Sequence, residues 1–330
     1  MNFRTLYKLS ICGFLAAVLL LAGRLTAQHL TLEGQTGGFL TPTAYVVESA
    51  KGQVLSHPAI GIHYINASTV IGLIETFSIT EGFANRAELG YTHSNHTLGN
   101  TPVATATNAA TSSLWSASGM NIVHGKVVLF KDGQFGPAMP GVAVGGVIRN
   151  NDQFVSGAIY QELTGMSKGY TNGDVYISVT KTWAKPPVPF LLNLGWKATN
   201  AVIFGIGGQS TRFGGRFYGG LGIPLPLTHG IVAVPSAGFT QEPKTVVGLG
   251  PWTGINVPLL SQRADLPTTL DYAVRVTQRD HPHFAFDIGI GQVAGNIGAV
   301  PTGYPPPYPT SIPVNLEARK VVGTGLSYRY

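Results

Sequence analysis

Val321-Val322-Gly323-Thr324-Gly325-Leu326-Ser327-Tyr328-Arg329-Tyr330 closes the chain and decides how the rest of it is read. Side chains alternate across an extended backbone, so Val322, Thr324, Leu326, Tyr328 and Tyr330 share one face while Val321, Gly323, Gly325, Ser327 and Arg329 share the other. One face is apolar and aromatic, the other small or polar. A strand of this kind separates two different solvents.

The same alternation recurs upstream. Gly37 to Val47, Ile60 to Ile65 and Val70 to Ile79 open a series of predicted strands. In Arg86 to Ser94, the residues Arg86, Glu88, Gly90, Thr92 and Ser94 oppose Ala87, Leu89, Tyr91 and His93. Asn121 to Phe130 and Val142 to Asn150 pair across Asp132-Gly133. Asp174 to Thr182, Phe190 to Lys197, Arg216 to Ile223, Ile231 to Gln241, Thr269 to Gln278 and His283 to Gly291 follow. Thr269 to Gln278 sets Tyr272, Val274 and Val276 outward, and the next segment does the same with Phe284, Phe286, Ile288 and Ile290. With the terminal stretch this gives about 12 to 14 strands near the length that crosses a bilayer. Because single-chain bacterial barrels prefer even counts, twelve is expected.

Composition agrees. Glycine at 43 and proline at 22, with 11% charged residues, suits many strands and turns better than helices. No stretch after residue 27 approaches the run of about 18 apolar residues that a membrane helix needs. The hydrophobic content, 44%, is spread by alternation, as the outside of a barrel requires.

At the other end, Arg4 and Lys8 precede an apolar run from Ile11 to Ala22, and Leu25-Thr26-Ala27 reads as a signal-peptidase site. The expected organisation is therefore a cleaved signal peptide over 1-27 and one barrel domain over 28-330. Removal of Arg4, Lys8 and Arg24 lowers the formal charge from +6 to +3, too weak and too scattered for a nucleic-acid partner. Cys12, the only cysteine, leaves with the signal, so the mature chain has no disulfide and no cysteine metal site.

The terminal stretch resembles the C-terminal strands of Gram-negative outer-membrane barrels, which end on an aromatic with hydrophobics at alternate positions before it. The resemblance implies the outer membrane as location, its lipid as surroundings, and the barrel-assembly machinery as a partner that recognises Leu326, Tyr328 and Tyr330. Tyr91, Trp183, Trp196, Tyr272 and Phe284 are expected with Tyr328 and Tyr330 in interfacial girdles.

Eleven ionisable residues fall on the face assigned to the lumen: Arg86, Glu88, Lys126, Arg149, Asp174, Lys197, Arg216, Asp271, Arg275, Asp287 and Arg329. There they escape the cost of a charge in lipid. Two arrangements suit them: the lining of a water-filled, mildly cation-rich pore, or a salt-bridge network that plugs a narrow barrel. The strand number lies between filled and open barrels, so geometry alone leaves both in place.

No motif carries an enzyme reading in its required context. Gly289-Ile290-Gly291-Gln292-Val293-Ala294 fits a dinucleotide fingerprint but lacks the helix that binds pyrophosphate. Gly165-Met166-Ser167-Lys168-Gly169 fits a nucleophile elbow but leads into turn sequence. Asp280, His281, His283 and Asp287 form a rim cluster that a hydrolase would use, and turn residues around Pro282 explain it equally well. No catalytic, cofactor or metal residue is assigned, and no cofactor is expected. Long connections at 99–120, 151–173, 243–267 and 295–313 are expected on the extracellular side, the last stiffened by six prolines from Pro301 to Pro313.

Several segments, taken in order, resemble a bacterial domain-of-unknown-function family (number 3034): Gly37-Gly38-Phe39-Leu40-Thr41-Pro42, Thr80-Glu81-Gly82-Phe83-Ala84-Asn85-Arg86-Ala87-Glu88-Leu89-Gly90-Tyr91, Lys126-Val127-Val128-Leu129-Phe130, Pro140-Gly141-Val142-Ala143-Val144-Gly145, Asp174-Val175-Tyr176-Ile177 and Leu191-Leu192-Asn193-Leu194-Gly195. The resemblance covers most of 37–295 and implies an exported, β-rich protein. It supplies no catalytic residues. The reading is a porin-like passive channel, or a structural or export-associated barrel, without enzyme activity. The alternatives are an outer-membrane hydrolase and a secreted β-sandwich that binds a ligand.

Overall fold

Twelve antiparallel strands close on themselves in the computed structural model, which describes residues 29–67, 72–97, 118–151, 170–183, 189–201, 204–205, 209–247, 262–265, 268–278, 283–293, 296–301, 311–315 and 320–329. The proposed leader 1-27, Tyr330, the Gly165 to Gly169 motif and the turn Arg279 to Pro282 lie outside the described residues. The wall consists of β1 (Ala59–Ala67), β2 (Gly72–Phe83), β3 (Ala87–Thr97), β4 (Ser118–Phe130), β5 (Gly141–Asn151) and β6 (Tyr170–Trp183). It continues through β7 (Phe190–Ala201), β8 (Gln209–Gly222), β9 (Ile231–Thr240), β10 (Thr269–Gln278), β11 (Phe284–Val293) and β12 (Lys320–Arg329). Each strand pairs with its neighbours in sequence, and β12 returns to β1 with Ala59 opposite Arg329 and Asn66 opposite Val322. Closure removes the free edges that an open sheet of this size would expose.

Alternation sorts the two faces as the sequence predicts. On β11 Ile288 is 49% exposed and its neighbour Asp287 is 1% exposed. Leu194, Val274, Phe286, Val322 and Tyr328 likewise face outward. So do Tyr91, Trp196, Tyr272 and Phe284, whereas Trp183 is partly covered by stacking on Phe190 at 4.6 Å. A mainly apolar exterior on strands of nine to fourteen residues makes this a transmembrane barrel.

The connections at one end are short. Ala84 and Asn85 turn β2 into β3 with positive φ of 50° and 55°. Two of the predicted long connections carry strands of their own: Lys244–Val247 pairs with Gln262–Asp265, and Asn296–Pro301 pairs with Ser311–Asn315. These two ribbons stand apart from the wall, where Pro301 and Pro313 interrupt no central ladder. A thirteenth short strand, Leu225–Pro226, leans on Val232 and Ala233 of β9.

Gly37 to Val47, expected as the first wall strand, is not in the wall. Residues 29–47 lie inside the barrel. Their partners come from strands all around the circumference: Leu30 N donates to Ser327 Oγ at 3.4 Å, Ala44 N to Thr180 Oγ1 at 2.8 Å, and Thr92 Oγ1 donates to the Glu33 carbonyl at 2.9 Å. The segment fails as a wall strand because it has no face to offer lipid. Phe39 and Leu40 are buried, and so are Thr41 and Thr43. It folds back on itself instead, bridging Leu30 to Thr36 and Gly37 to Pro42.

Candidate functional site: a lumen filled by the N-terminal segment

The lumen segment is held by three charged clusters, each built from cross-strand neighbours of the wall and a group that the segment brings to them. Glu88 and Lys126 face each other on β3 and β4, and Nζ lies 3.1 Å from Oε1. Both are fully occupied. Glu88 accepts from Thr36 N at 3.0 Å, Thr36 Oγ1 at 2.6 Å and Val47 N at 3.1 Å, while Lys126 donates to the carbonyls of Thr36 at 2.8 Å and Thr43 at 3.0 Å. One ion pair thus clamps the segment at three places along its length. Charge-assisted bonds of this kind are about twice as strong as neutral ones.

Arg149 on β5 is fully buried and holds two acids. Its Nε meets Glu33 Oε1, and its NH2 donates to Glu33 Oε2 and Asp174 Oδ2, both at 2.7 Å. Arg149 is thus a bidentate clamp between the lumen segment and β6. The third cluster joins β10 and β11: Arg275 donates to Asp287 through Nε at 3.1 Å and NH2 at 3.3 Å, and also to the Gly37 carbonyl at 3.2 Å. His29 Nε2 lies against Asp287 Oδ2, its ring 5.8 Å from that of His63, whose Nε2 donates to the Leu30 carbonyl at 3.1 Å. Burial, with the Arg275 charge adding to it, lowers the His29 pKa against the opposing pull of Asp287.

Below these clusters the segment leaves through the end with short turns. Tyr45 donates to Asp132 at 3.1 Å and shares a 2.6 Å bond with Thr182, while Lys181 lies 2.6 Å from Asp132. Burial raises the Tyr45 pKa, keeping the hydroxyl protonated. Arg329 reaches the Glu48 carbonyl, Ser49 N donates to Asn85 at 2.6 Å, and Ser56 and Gly82 exchange bonds at 2.8 and 2.7 Å before β1 begins. Gly82 is required at that crossing, because a Cβ would collide with the Val47 carbonyl oxygen.

Of the eleven residues assigned to the lumen, ten face it. Arg86 is the exception. It sits in the β2–β3 turn, exposed, bonded to the Leu129 carbonyl at 3.3 Å, because the strand begins one residue later than the alternation implied. Lys197 and Asp271 are buried on the inner face, and Arg216 binds the Glu242 carbonyl at 2.5 Å. The rim cluster does not assemble from its described members. His283 is exposed and bonds the Arg329 carbonyl, whereas Asp287 is deep in the lumen with Arg275. Gly289 to Val293 is β11, not the helix that a dinucleotide would need. Among the described residues no group of three His, Cys, Asp or Glu gathers as a metal site.

Sequence reasoning missed Glu33, Thr36 and His29, the groups that complete the clusters. A signal was present. The lumen set holds seven cations against four acids, and a sealed interior needs the missing acids from elsewhere in the chain.

Residues 26–216 match the family described as "Protein of unknown function (DUF3034)". No curated protein matches the sequence. Among solved structures, the chain is similar to LpxR from Salmonella typhimurium (9% identity, 82% of this chain and all of that one, TM-score 0.44) and to the KdgM porin (8% identity, 82% and 99%, TM-score 0.42). It is also similar to the beta domain of the Bordetella autotransporter BrkA (14% identity, 84% and 100%, TM-score 0.38).

Proposed function

The chain belongs to the DUF3034 family, and from that premise we propose that it is an outer-membrane β-barrel kept closed by its own N-terminal segment, a porin-like passive channel only when that segment is displaced. The observation that carries this reading is the lumen segment 29–47, buried on every side and tied to the wall through the Glu88–Lys126, Arg149 and Asp287 clusters. A filled lumen with no displacement would leave a structural or export-associated role. The apolar exterior supports residence in a lipid bilayer, and the alternation over β12 supports insertion by the barrel-assembly machinery through Leu326, Tyr328 and Tyr330. Export by the 1-27 signal completes the route. The protein acts without catalysis.

Planar-bilayer recording tests this. Wild-type protein should be silent apart from rare openings, whereas a variant lacking 29–47 should show steady discrete steps, and Glu33→Ala should open more often than wild type. A deletion variant that shows heat-modifiable migration and remains silent would overturn the channel reading in favour of the structural one.

A further inference from the structure

The end of the barrel with short turns carries an exposed patch that neither the strand ladders nor the lumen segment uses. It begins at the tether, residues 48–58, by which the segment reaches β1. The tether is zipped to the end of β2: Ala84 N donates to the Val54 carbonyl at 2.6 Å, Leu55 bridges Phe83, and Ser56 N donates to the Gly82 carbonyl. Its apolar side chains find no cover, with Val54 68% and Leu55 50% exposed. The β2–β3 turn joins the tether to the β4–β5 connection, since Val128 N donates to the Arg86 carbonyl and Arg86 NH1 to the Leu129 carbonyl. In that connection Phe135 is 65% exposed and meets Phe130 edge-to-face at 5.7 Å.

Three cations border these apolar groups: Lys51 on the tether, Arg86 in the β2–β3 turn and Lys131 just after β4. All are exposed, and none makes an ion pair among the described residues. Lys181 offsets Asp132 and Arg329 lies beside Glu48, which leaves the three against Glu81 among the described residues of this sector. The β8–β9 connection, on the other side of the barrel, exposes Leu225 and Leu227 but has no lysine or arginine. Apolar exposure is therefore shared by two sectors of this end, and its combination with unmatched cations is particular to the tether.

We propose that this sector binds anionic phospholipid, and that the bound lipid holds the tether against the rim of the barrel. Lipid phosphates meet Lys51, Arg86 and Lys131, while Val54, Leu55 and Phe135 enter the acyl boundary. Cations and apolar groups exposed side by side suit a surface that offers negative charge and hydrocarbon within one layer. A small anion in water would leave Val54 and Phe135 wet. A zwitterionic bilayer would leave the cations without net counter-charge. The effect on the lumen segment follows from the crossing at Gly82, which bonds to Ser56 of the tether and packs against the Val47 carbonyl of the segment. A lipid that pins 54–56 therefore restrains the exit at 47. That consequence for closure rests on the reading of 29–47 as a displaceable plug, whereas the lipid contact stands without it.

Full-length mature protein in nanodiscs of phosphatidylcholine, with and without phosphatidylglycerol, tests the proposal by hydrogen exchange and by the fluorescence of Val54→Trp. Phosphatidylglycerol should slow exchange over 49–56 by about five-fold or more, the gain from one basic side chain at an anionic surface. The combined variant Lys51→Gln/Arg86→Gln/Lys131→Gln should lose that slowing while its strand ladders keep wild-type protection. Brominated acyl chains should quench the Val54→Trp emission more than aqueous iodide does, and inorganic phosphate added to phosphatidylcholine discs should leave exchange unchanged. Equal exchange in the two lipids, stronger quenching by iodide, or slowing by inorganic phosphate alone would each overturn the lipid site. Conductance reports separately on closure: if the barrel lacking 29–47 is silent, the plug reading falls, and exchange and quenching in the full-length protein still decide the lipid site.

Discussion

Residues 29–47 and strand β12 are both mixed in polarity and rich in small residues, yet they solve opposite problems. β12 has one face in the lumen, where Gly323, Gly325 and Ser327 are buried, and one face outside, where Val322 and Tyr328 are exposed. Its backbone is satisfied by β1 and β11, residue for residue. The lumen segment has no outside. Its backbone groups bond to side chains of the wall, Thr80 Oγ1 donating to the Gly34 carbonyl at 2.6 Å and Asn193 Nδ2 to the Pro42 carbonyl at 3.0 Å. The wall therefore depends on lipid outside and ladders within, while the plug depends on buried charge meeting its partner. A barrel wall tolerates polar substitution on its inner face only as far as the plug supplies complementary groups.

The sharpest way to break the contrast is Arg149→Ala. It leaves Glu33 and Asp174 buried without their cation, and removal of one member of a buried charge cluster costs about 3–5 kcal/mol. Hydrogen exchange over 29–47 and conductance in bilayers should both rise steeply, in detergent and in lipid alike. Ile288→Arg probes the other side. A cation at the midplane of the lipid face costs about 2–4 kcal/mol. Equilibrium unfolding from vesicles should show that loss, while plug protection in detergent micelles stays near wild type. If Arg149→Ala left the plug protected, or Ile288→Arg released it, the division of labour between the two regions would fail.

These two substitutions also mark what was legible in the sequence. The wall was, because lipid outside and a filled interior impose period-2 alternation on every strand, and Asp271 to Thr277 or Phe284 to Ile290 can be assigned to faces by inspection. The plug was not, because Gly37 to Val47 has the same composition as a glycine-rich strand, and what removes it from the wall is long-range: wall side chains 41 to 238 positions away bond its polar groups. Ten lumen residues were found from their parity alone. Their partners Glu33, Thr36 and His29 were hidden, since no local pattern distinguishes a residue that enters a barrel from one that enters a strand. Arg86 failed for the ordinary reason that turn boundaries shift by a residue.

Gly82→Ala sharpens the comparison where the two regions cross. The methyl group has no room beside the Val47 carbonyl, and overpacking costs about 1–3 kcal/mol. Because Gly82 belongs to β2 and Val47 to the exit of the segment, the wall should keep its ladder and the segment should move. Exchange should increase first at 44–49, near the short-turn end, and only weakly at 30–36. A uniform increase across β1 to β3 would show that wall and plug yield together.

The smallest effect comes from pH. His29 faces Asp287, Arg275 and His63, and burial lowers its pKa, so it binds a proton less readily in the lumen than when the segment is released. A base with a depressed folded pKa contributes its full stabilisation above its ordinary value near 6.5, and that contribution declines as pH falls from there toward the folded value. Seating of the segment should therefore loosen by a few-fold in exchange rate between neutral and mildly acidic conditions. His29→Gln cannot take up the proton, so its exchange rates should change less across the same range, and the difference between the two proteins isolates His29 from carboxylates that titrate at lower pH. An identical pH dependence in wild type and His29→Gln would assign the loosening to the other titratable groups of the lumen, His63, His124 and the acids, and leave His29 a packing residue between Asp287 and His63.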